Sequence, residues 1–450
     1  MPMETMMSQK VLIPFTLILT LLNTSALSAK ETKIKTYPKD FAQNGNDIID
    51  PIPSEVKKSR KAKYYQAYKY EGKNIPSFKI KNDYENITQE MKDRDRPWRE
   101  GKNKNLDLTK EKDALKFALM MQEYAYKGMI RNRRNNPDLD FMPHYAKQDK
   151  SHGRYWCHMP WLNITSKGRE FVHGLTKEFP LHASDAYPFV EEKNGISWGT
   201  AFYNSFACED IGEFFGTAKN PKTPEQIAKQ KKIVFKDGYV SSKLLFNNST
   251  RSEFEDAYTW VAHAGTNKNM FSKKRRMQKM RHLQMDVAVK DSTVIGTDPE
   301  LNNWFMFTYY YDPTYTSPLT NKLNLPKGIR NMRPLGVQFG LTAGKSIIFD
   351  HSKNNHCKKE DPNDRKSACD PLPYEETRLN GPADNPVSSC LSCHAASGTD
   401  YPASPGFLSD HRYIDEVQSG DTFDFNMQVH LAVDYVKKML KKKAEQEKDQ

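Results

Sequence analysis

The 450-residue sequence lacks the short motifs that mark several large classes of enzyme and binding protein. It contains no Gly-rich phosphate loop, no nucleophile elbow and no HExxH zinc motif, so the chemistries that depend on those motifs are not indicated. No nucleic-acid-binding motif occurs, and a net charge of +12 is too diffuse to indicate nucleic acid as a partner. The same charge suits docking to acidic proteins or anionic surfaces.

The sequence has only one long apolar run, and it lies near the N-terminus. Lys10 precedes the apolar residues 11–22, and small residues follow around Ala26 and Ser28. The run is too short to span a bilayer, and its order of basic, apolar and small residues is typical of a secretory signal. We therefore predict a signal peptide over residues 1–28, export to the periplasm and no stable membrane insertion after cleavage. An uncleaved N-terminal anchor is the alternative.

Cysteine is scarce, with six residues in the chain, and two of them form its most specific motif, Cys390-Leu391-Ser392-Cys393-His394. In an exported chain Cys-x-x-Cys-His predicts one covalently attached haem c, because two thiols on one helical turn can add to the two vinyl groups of a porphyrin. Cys390 and Cys393 are then the haem-binding residues, and His394 is the proximal iron ligand. A redox dithiol, a plain disulfide or half of a zinc site is the alternative, although no second zinc-ligand pair and no thioredoxin-like context occurs.

The second axial ligand of such a haem is not fixed by the sequence. Met427 is one candidate, since a thioether ligand would raise the reduction potential and favour electron transfer, but a methionine can equally pack on an amphipathic helix. Histidines are further candidates: His158, His173, His263, His282, His411 and His430. An open distal side would instead leave the iron able to bind a small ligand.

The other four cysteines can form disulfides, because an even number is expected in an exported chain. Cys357 and Cys369 flank a charged, proline-containing stretch that a local disulfide could close. Cys157 would then pair with Cys208. The sequence alone does not decide this pairing.

The pattern of apolar residues predicts an α+β fold. Residues 29–108 are poor in aliphatic residues and predict an extended, weakly ordered basic arm. Helical spacing predicts a helix over 110–129 and a C-terminal helix over 423–443. The mostly apolar face of the first helix is expected to contain Leu115, Ala118, Leu119, Gln122 and Tyr126. Between them lie strand-like runs: Lys232–Phe235, Val240–Phe246, Met285–Lys290, Trp304–Tyr311 and Leu335–Leu341. We expect residues 109–450 to form a β-rich haem-binding domain, an antiparallel sheet with peripheral helices and a C-terminal helix.

A basic segment interrupts this pattern. Residues 268–281 contain seven basic residues and no acidic one. We interpret the segment as a solvated helix or loop, with a partner-docking surface as the alternative.

Five patches of the chain carry a family resemblance: Trp156–Trp161, Gly168–Thr176, Lys243–Phe246, Gln284–Asp291 and Arg378–Pro386, the last leading into the Cys-x-x-Cys-His motif. In these patches the chain resembles an uncharacterised family of bacterial exported mono-haem cytochromes c. A weaker similarity to the β-sheet cytochromes of the c′-beta class rests on Gly238, Lys243, Met285, Lys290, Asp291, Trp304 and Asp400-Tyr401. This second resemblance implies a β-sheet haem domain with helices outside it and a distal site for small gases or nitrogen oxides. The chain differs from that class in its length, its cysteine-bearing insert and its C-terminal helix, so no catalytic residue is carried over.

These observations predict a periplasmic mono-haem c-type cytochrome that transfers electrons to or from a redox partner protein. The alternative is a haem oxidoreductase or gas-binding protein, with peroxidatic or nitrogen-oxide chemistry on a small-molecule ligand at an open distal site. A third hypothesis is an exported structural protein whose Cys-x-x-Cys pair is only a disulfide.

Overall fold

The structure is a computed structural model, and all of its described residues belong to one compact unit, Ile34–Gln450. The described residues are 68–70, 73–75, 96–131, 140–141, 156–158, 175–177, 197–216, 222–250, 252–265, 275–323, 325, 327–340, 345–350, 379, 391, 394, 424 and 426–448.

The centre of this unit is an eight-stranded antiparallel sheet. The described strands are β1 (Tyr68–Tyr70), β2 (Lys73–Ile75), β3 (Ile130–Arg131), β4 (Asp140–Phe141), β5 (Thr176–Lys177), β6 (Ser197–Tyr203), β7 (Tyr239–Asn247), β8 (Thr259–Gly265), β9 (Arg275–Lys290), β10 (Trp304–Tyr311), β11 (Met332–Gln338) and β12 (Ser346–Ile348). The sheet has the order β12-β11-β10-β9-β7-β6-β5, and β8 pairs with β9. Strands β1 and β2, and strands β3 and β4, form two separate antiparallel pairs.

Helices cover both faces of the sheet. The described α-helices are α1 (Glu111–Met129), α2 (Ser205–Phe215), α3 (Pro224–Ala228), α4 (Thr320–Leu323) and α5 (Met427–Lys448). Short 3-10 helices lie at Pro97–Arg99, Gly101–Asn103, Ser252–Phe254 and Pro299–Leu301. The combination of a long antiparallel sheet with peripheral helices is an α+β fold with a β-rich domain, as the sequence predicted.

Strand β10 shows that both faces of the sheet are buried. All eight of its residues are buried, and successive side chains of a strand point to opposite faces. Phe305 and Phe307 enter a cluster on one face, here named core A, which includes Phe117 of α1. Trp304 and Met306 enter a cluster on the other face, here named core B, which includes side chains of α2, α3 and α5. The sheet therefore separates two apolar cores.

Helix α1 begins within one residue of its predicted start, and Ala118, Gln122 and Tyr126 of its predicted apolar face are buried. Leu115 is exposed, whereas Phe117, Met121 and Tyr124 are buried in core A. The Phe117 ring stacks on the Phe307 ring with centroids 5.6 Å apart. The contact with β10 therefore sets the rotation of the helix about its axis.

The folded region extends upstream of the boundary expected at residue 109. Trp98, Leu106 and Leu108 are buried in core A. Asp291 accepts hydrogen bonds from Trp98 Nε1 (2.8 Å) and Arg99 Nε (2.7 Å), which ties this segment to the end of β9. A few buried side chains in this otherwise polar segment hold the segment on the domain, and its average composition does not indicate them.

Four of the predicted strand runs lie wholly or largely in β7, β9, β10 and β11, and β10 matches its run residue for residue. Lys232–Phe235 was wrongly predicted as a strand. It is an extended connection whose Ile233 and Phe235 are buried in core B. Strand β6 and helix α2 were not predicted. For β6 the reason is that Gly199 and Ala201 weaken the β-forming signal of the strand.

The basic segment is a strand in its described part. Arg275–Arg281 is the first half of β9 and pairs with β8, from Thr259↔Arg281 to Gly265↔Arg275. Lys279 is exposed between the buried residues Gln278 and Met280, which is the alternation of a strand. The helix-or-loop interpretation is therefore wrong for these residues, and 268–274 lie outside the described residues.

A disulfide joins Cys157 to Cys208, with Cα atoms 5.9 Å apart. Both cysteines are fully buried in core B, and Cys157 also pairs through its backbone with Tyr203 at the end of β6. This is the second of the two pairings that the sequence favoured. Cys357 and Cys369 lie outside the described residues.

Candidate functional site

Two residues of the Cys-x-x-Cys-His motif are described, and both have helical backbone. Leu391 is fully buried in core B, and its backbone N–H donates to Gln338 Oε1 at 3.0 Å. His394, three residues later, is half-buried. Residues three apart on a helical turn lie on the same side of it. Leu391 therefore fixes the chain to the sheet here, and His394 lies on the same side of the turn as this anchor. Cys390 and Cys393 lie outside the described residues.

Gln338 is well suited to hold this turn. It is the last residue of β11 and is almost fully buried, and its Nε2 donates to Gly340 O at 3.0 Å while its Oε1 accepts from Leu391. A buried hydrogen bond of this kind contributes about 1 kcal/mol, and leaving the amide without it costs more. The motif is thus bound to the edge region of the sheet by both packing and a directed hydrogen bond.

The chain upstream of the motif contacts the same region of the sheet. Leu379 is fully buried with Tyr310, Leu335 and Ile348. Gly336 makes room for it, because a Cβ at that glycine would lie 2.9 Å from Leu379 Cδ1. Leu379 and Leu391 therefore attach the segment around the motif to β10 and β11 at two points.

A polar row crosses the sheet beside these attachment points. Lys243 of β7 pairs with Asp286 of β9, and Asp286 pairs with Thr308 of β10. Each of the three lies an even number of positions from a core B residue of its own strand: Lys243 from Tyr239, Asp286 from Ala288 and Thr308 from Met306. Their side chains therefore lie on the core B face. Lys243 and Asp286 are half-buried although they lie on central strands. The row thus places polar and ionisable side chains on a face of the sheet whose other described members are largely apolar.

Hydrogen bonds fix the orientation of Asp286. Its carboxylate accepts from Thr308 Oγ1 at 2.8 Å and from Gln284 Nε2 at 2.9 Å and 3.0 Å. Gln338 is two residue pairs further along β11, because Thr308 pairs with Gly336 and Met306 with Gln338. With strands about 4.8 Å apart, Asp286 lies roughly 10 Å across the sheet from β11. An oriented carboxylate therefore lies on the same face as the motif and near it.

Tyr310 is a further ionisable residue next to the attachment point of Leu379. Its hydroxyl donates to Asp350 Oδ2 at 2.7 Å, and Arg333 forms an ion pair with the same carboxylate at 3.4 Å. Burial, followed by the hydrogen bond to Asp350, raises the pKa of Tyr310. Tyr310 is therefore a neutral hydrogen-bond donor at physiological pH.

No protein-family model, no curated protein and no solved structure matches the chain.

Two of the candidate histidines are on the wrong face for the motif. The His158 ring lies 4.7 Å from the Phe202 ring and the His282 ring 5.1 Å from the Phe246 ring, and both phenylalanines belong to core A. Burial lowers the pKa of His282 to about 3, so its imidazole is neutral. Because Leu391 is in core B, the sheet separates both histidines from the motif.

Helix α5 is on the face that carries the motif. Val429, Val433 and Val436 enter core B, which contains Leu391. Met427 is the first residue of this helix, and its side chain lies outside the described residues. His430 is half-buried one turn later. The backbone thus places both candidate ligands on a helix that packs in the same core as the motif.

A buried ion pair fixes the start of α5, and sequence reasoning did not find it. Asp424 pairs with Lys290 at 2.6 Å, and also accepts from Trp304 Nε1 (2.9 Å) and the Phe235 N–H (2.7 Å). Asn426 then caps the helix, because its Oδ1 accepts from the Val429 N–H at 3.0 Å. The Asp-x-Asn sequence before the helical periodicity is the local signal that could have indicated a fixed helix start.

Among the described residues, no group of three His, Cys, Asp or Glu side chains is arranged to hold a metal ion. No described helix combines the length and the apolar character needed to cross a bilayer. The Cys-x-x-Cys-His sequence supplies two thiols and one imidazole within five residues, which is the donor set of haem c. The partly exposed position of His394 beside the buried Leu391 is compatible with that use.

Proposed function

We propose that this protein is an exported mono-haem c-type cytochrome that transfers electrons, with haem attached through Cys390 and Cys393 and bound by His394. The observation that carries the proposal is the Cys-x-x-Cys-His sequence, whose Leu391 is buried in core B and bonded to Gln338 while His394 is partly exposed. Bound haem supplies a one-electron iron couple to such a protein.

The protein's own residues have three roles in this proposal. Leu391 and Gln338 hold the turn so that the imidazole of His394 keeps one direction relative to the sheet. Core B excludes water from the anchor side of the turn, and a low local dielectric is one of the factors that set a haem potential. The buried Cys157–Cys208 disulfide is compatible with the oxidising compartment to which the predicted signal would direct the chain.

A second function, haem-based chemistry on a small ligand, is favoured by the polar row. Lys243 and Asp286 are half-buried ionisable groups on the face that carries the motif, and Asp286 is oriented by Gln284 and Thr308. Oriented ionisable groups in a partly enclosed site are typical of sites that move protons. Under this proposal the row would donate and accept protons beside a ligand such as a peroxide or a nitrogen oxide.

The absorption spectra of periplasmically matured protein, oxidised and reduced, separate these functions. Electron transfer predicts low-spin iron, and loss of that low-spin signature in Met427→Ala or His430→Ala identifies the distal ligand. High-spin iron that binds carbon monoxide or nitric oxide rapidly, with a changed rate in Asp286→Asn, supports ligand chemistry instead. A protein that carries no haem Soret band after maturation would contradict both functions and leave the motif as a disulfide.

A further inference from the structure

Helices α3 and α5, which pack against each other over core B, also carry exposed lysines. Ala228 is the last residue of α3, Leu440 lies in the second half of α5, and both side chains pack against core B. Lys229 and Lys441 follow these two residues directly, and both are exposed. The lysines that follow α3 and those of α5 therefore belong to neighbouring parts of one surface.

This surface is here named the basic face. Its members are exposed lysines of the connection after α3 and of α5: Lys229, Lys231, Lys232, Lys437, Lys438 and Lys441. Over residues 224–232 and 427–441 the acidic residues are Glu225 and Asp434, and Asp434 pairs with Lys438. The three lysines after α3, and Lys441, form no ion pair with any residue that the structure describes. The basic face therefore carries an excess of positive charge that its own elements do not balance.

The connection after α3 also exposes one apolar side chain at the edge of the basic face. Val234 is 54% exposed, whereas its neighbours Ile233 and Phe235 are buried in core B. Successive side chains of an extended segment point to opposite sides, so Val234 is on the same outward side as Lys232. An exposed apolar side chain beside lysines offers a partner a contact that salt does not screen.

Acidic residues limit the basic face on the side of α2. The Nζ atom of Lys236 lies 3.6, 3.2 and 3.3 Å from carboxylate oxygens of three residues of α2: Glu209, Asp210 and Glu213. Three carboxylates around one ammonium group make this border negative. An acidic patch on a partner is thus attracted by the basic face and repelled at the border, which favours one orientation of the partner.

The composition and position of the basic face favour a protein partner over a membrane. A segment that lies in a membrane surface presents a continuous apolar face. Among the described residues of α3, the connection and α5, the exposed large apolar side chains are Val234 and Leu431, which lie on different elements. Core B, beneath the basic face, also contains Leu391 of the Cys-x-x-Cys-His sequence. A protein bound there is therefore on the side of the sheet that carries the motif.

We propose that the basic face binds a soluble redox protein through an acidic patch on that protein. The inference rests on the proposed electron transfer for the nature of the partner, whereas the charge excess, the exposed Val234 and the negative border are properties of the chain itself. Redox partners bind weakly through small interfaces. Complementary charge raises their rate of association more than their affinity, and salt reduces that rate. The association rate and its salt dependence are therefore the quantities to measure.

Stopped-flow association of the full-length, periplasmically matured protein with a fluorescently labelled plant-type ferredoxin, an acidic soluble redox protein, tests the proposal. The basic-face variant replaces the three lysines after α3 with glutamate: Lys229→Glu, Lys231→Glu and Lys232→Glu. The matched control replaces three exposed lysines of the segment that packs on core A, on the opposite face of the sheet: Lys102→Glu, Lys104→Glu and Lys112→Glu. Both variants change the net charge by the same amount, and all six lysines are exposed, so the circular dichroism of both should be unchanged.

At low ionic strength we expect the basic-face variant to associate at least about tenfold more slowly than the unaltered protein. The control variant should associate at most about threefold more slowly. The three rates should converge as the ionic strength is raised towards 1 M, where the Debye length is only about 3 Å.

Equal slowing by the two variants would mean that only the net charge matters and would overturn the proposal, as would a basic-face variant whose rate stays within about threefold of the unaltered protein. Vesicles that contain phosphatidylglycerol are the second probe. If the two variants differ in vesicle binding but not in ferredoxin association, the basic face binds a membrane and the proposal is wrong. Association requires no haem, so a matured chain without a Soret band contradicts the proposed function and leaves these rates unchanged.

Discussion

The buried pair of Lys290 and Asp424 gives the sharpest stability prediction. Their side chains are only 8% and 2% exposed, and the nitrogen–oxygen distance is 2.6 Å. Replacing one member of such a pair leaves a buried charge without its partner, which costs about 3–5 kcal/mol. We expect Asp424→Asn to lower the free energy of unfolding by that amount. The amide keeps an oxygen that can accept from the Trp304 indole, so most of the loss should come from the uncompensated Lys290.

Urea unfolding followed by far-ultraviolet circular dichroism measures this effect. Asp434→Asn is the matched control, because Asp434 forms an exposed i,i+4 pair with Lys438 on the surface of α5 and should contribute less than about 0.5 kcal/mol. Lys290→Met combined with Asp424→Asn should destabilise by clearly less than the sum of the two single variants, since the double variant has no unpaired charge. A loss below about 1 kcal/mol in Asp424→Asn, or strict additivity in the double variant, would refute the reasoning.

Three further predictions follow from other parts of the fold. Replacing Cys157 and Cys208 with serine should lower the free energy of unfolding by about 4 kcal/mol, because the bridge closes a loop with a sequence separation of 51; an unchanged unfolding midpoint would contradict this. Stability should fall from about pH 6.5 towards pH 3 as unfolded His282 gains a proton that the folded form, with its pKa of about 3, does not bind. His282 should contribute up to about 1.4 kcal/mol per pH unit to this slope. That contribution should be missing in His282→Leu when the free energy of unfolding is measured by urea titration at each pH. Leu391→Ala should cost about 3 kcal/mol and lower the haem content per chain, measured by haem stain, whereas the exposed Leu431→Ala should change neither.

Local sequence patterns predicted much of the secondary structure. Strand β10 was found residue for residue because it is a run of aromatic and β-branched residues. The start of helix α1 was predicted within one residue, and its apolar face was predicted correctly at Ala118, Gln122 and Tyr126 but not at Leu115. Helical spacing alone does not say which stripe meets the sheet when apolar residues occur on more than one side. That choice is made by tertiary packing against Phe307.

The candidate site also has one part that a local sequence pattern predicts and another part that depends on tertiary contacts. The Cys-x-x-Cys-His motif is local and could be found by inspection of the sequence. The row of Lys243, Asp286 and Thr308 depends on the register of three strands, and its members come from distant parts of the chain. Likewise the partners Lys290 and Asp424 are 134 residues apart, so no local pattern indicates their contact. Polar groups that meet only after the sheet has formed cannot be predicted from spacing.

The intact mass of the periplasmically matured protein tests the central proposal most directly. The proposal predicts a chain shortened by cleavage near Ala26 or Ser28 and heavier by one haem. Replacing both Cys390 and Cys393 with alanine should remove the added mass, whereas Ser392→Ala in the same turn should keep it. A matured chain that has only the mass of its unmodified residues would contradict the proposal, as would an added haem mass that survives the loss of both cysteines.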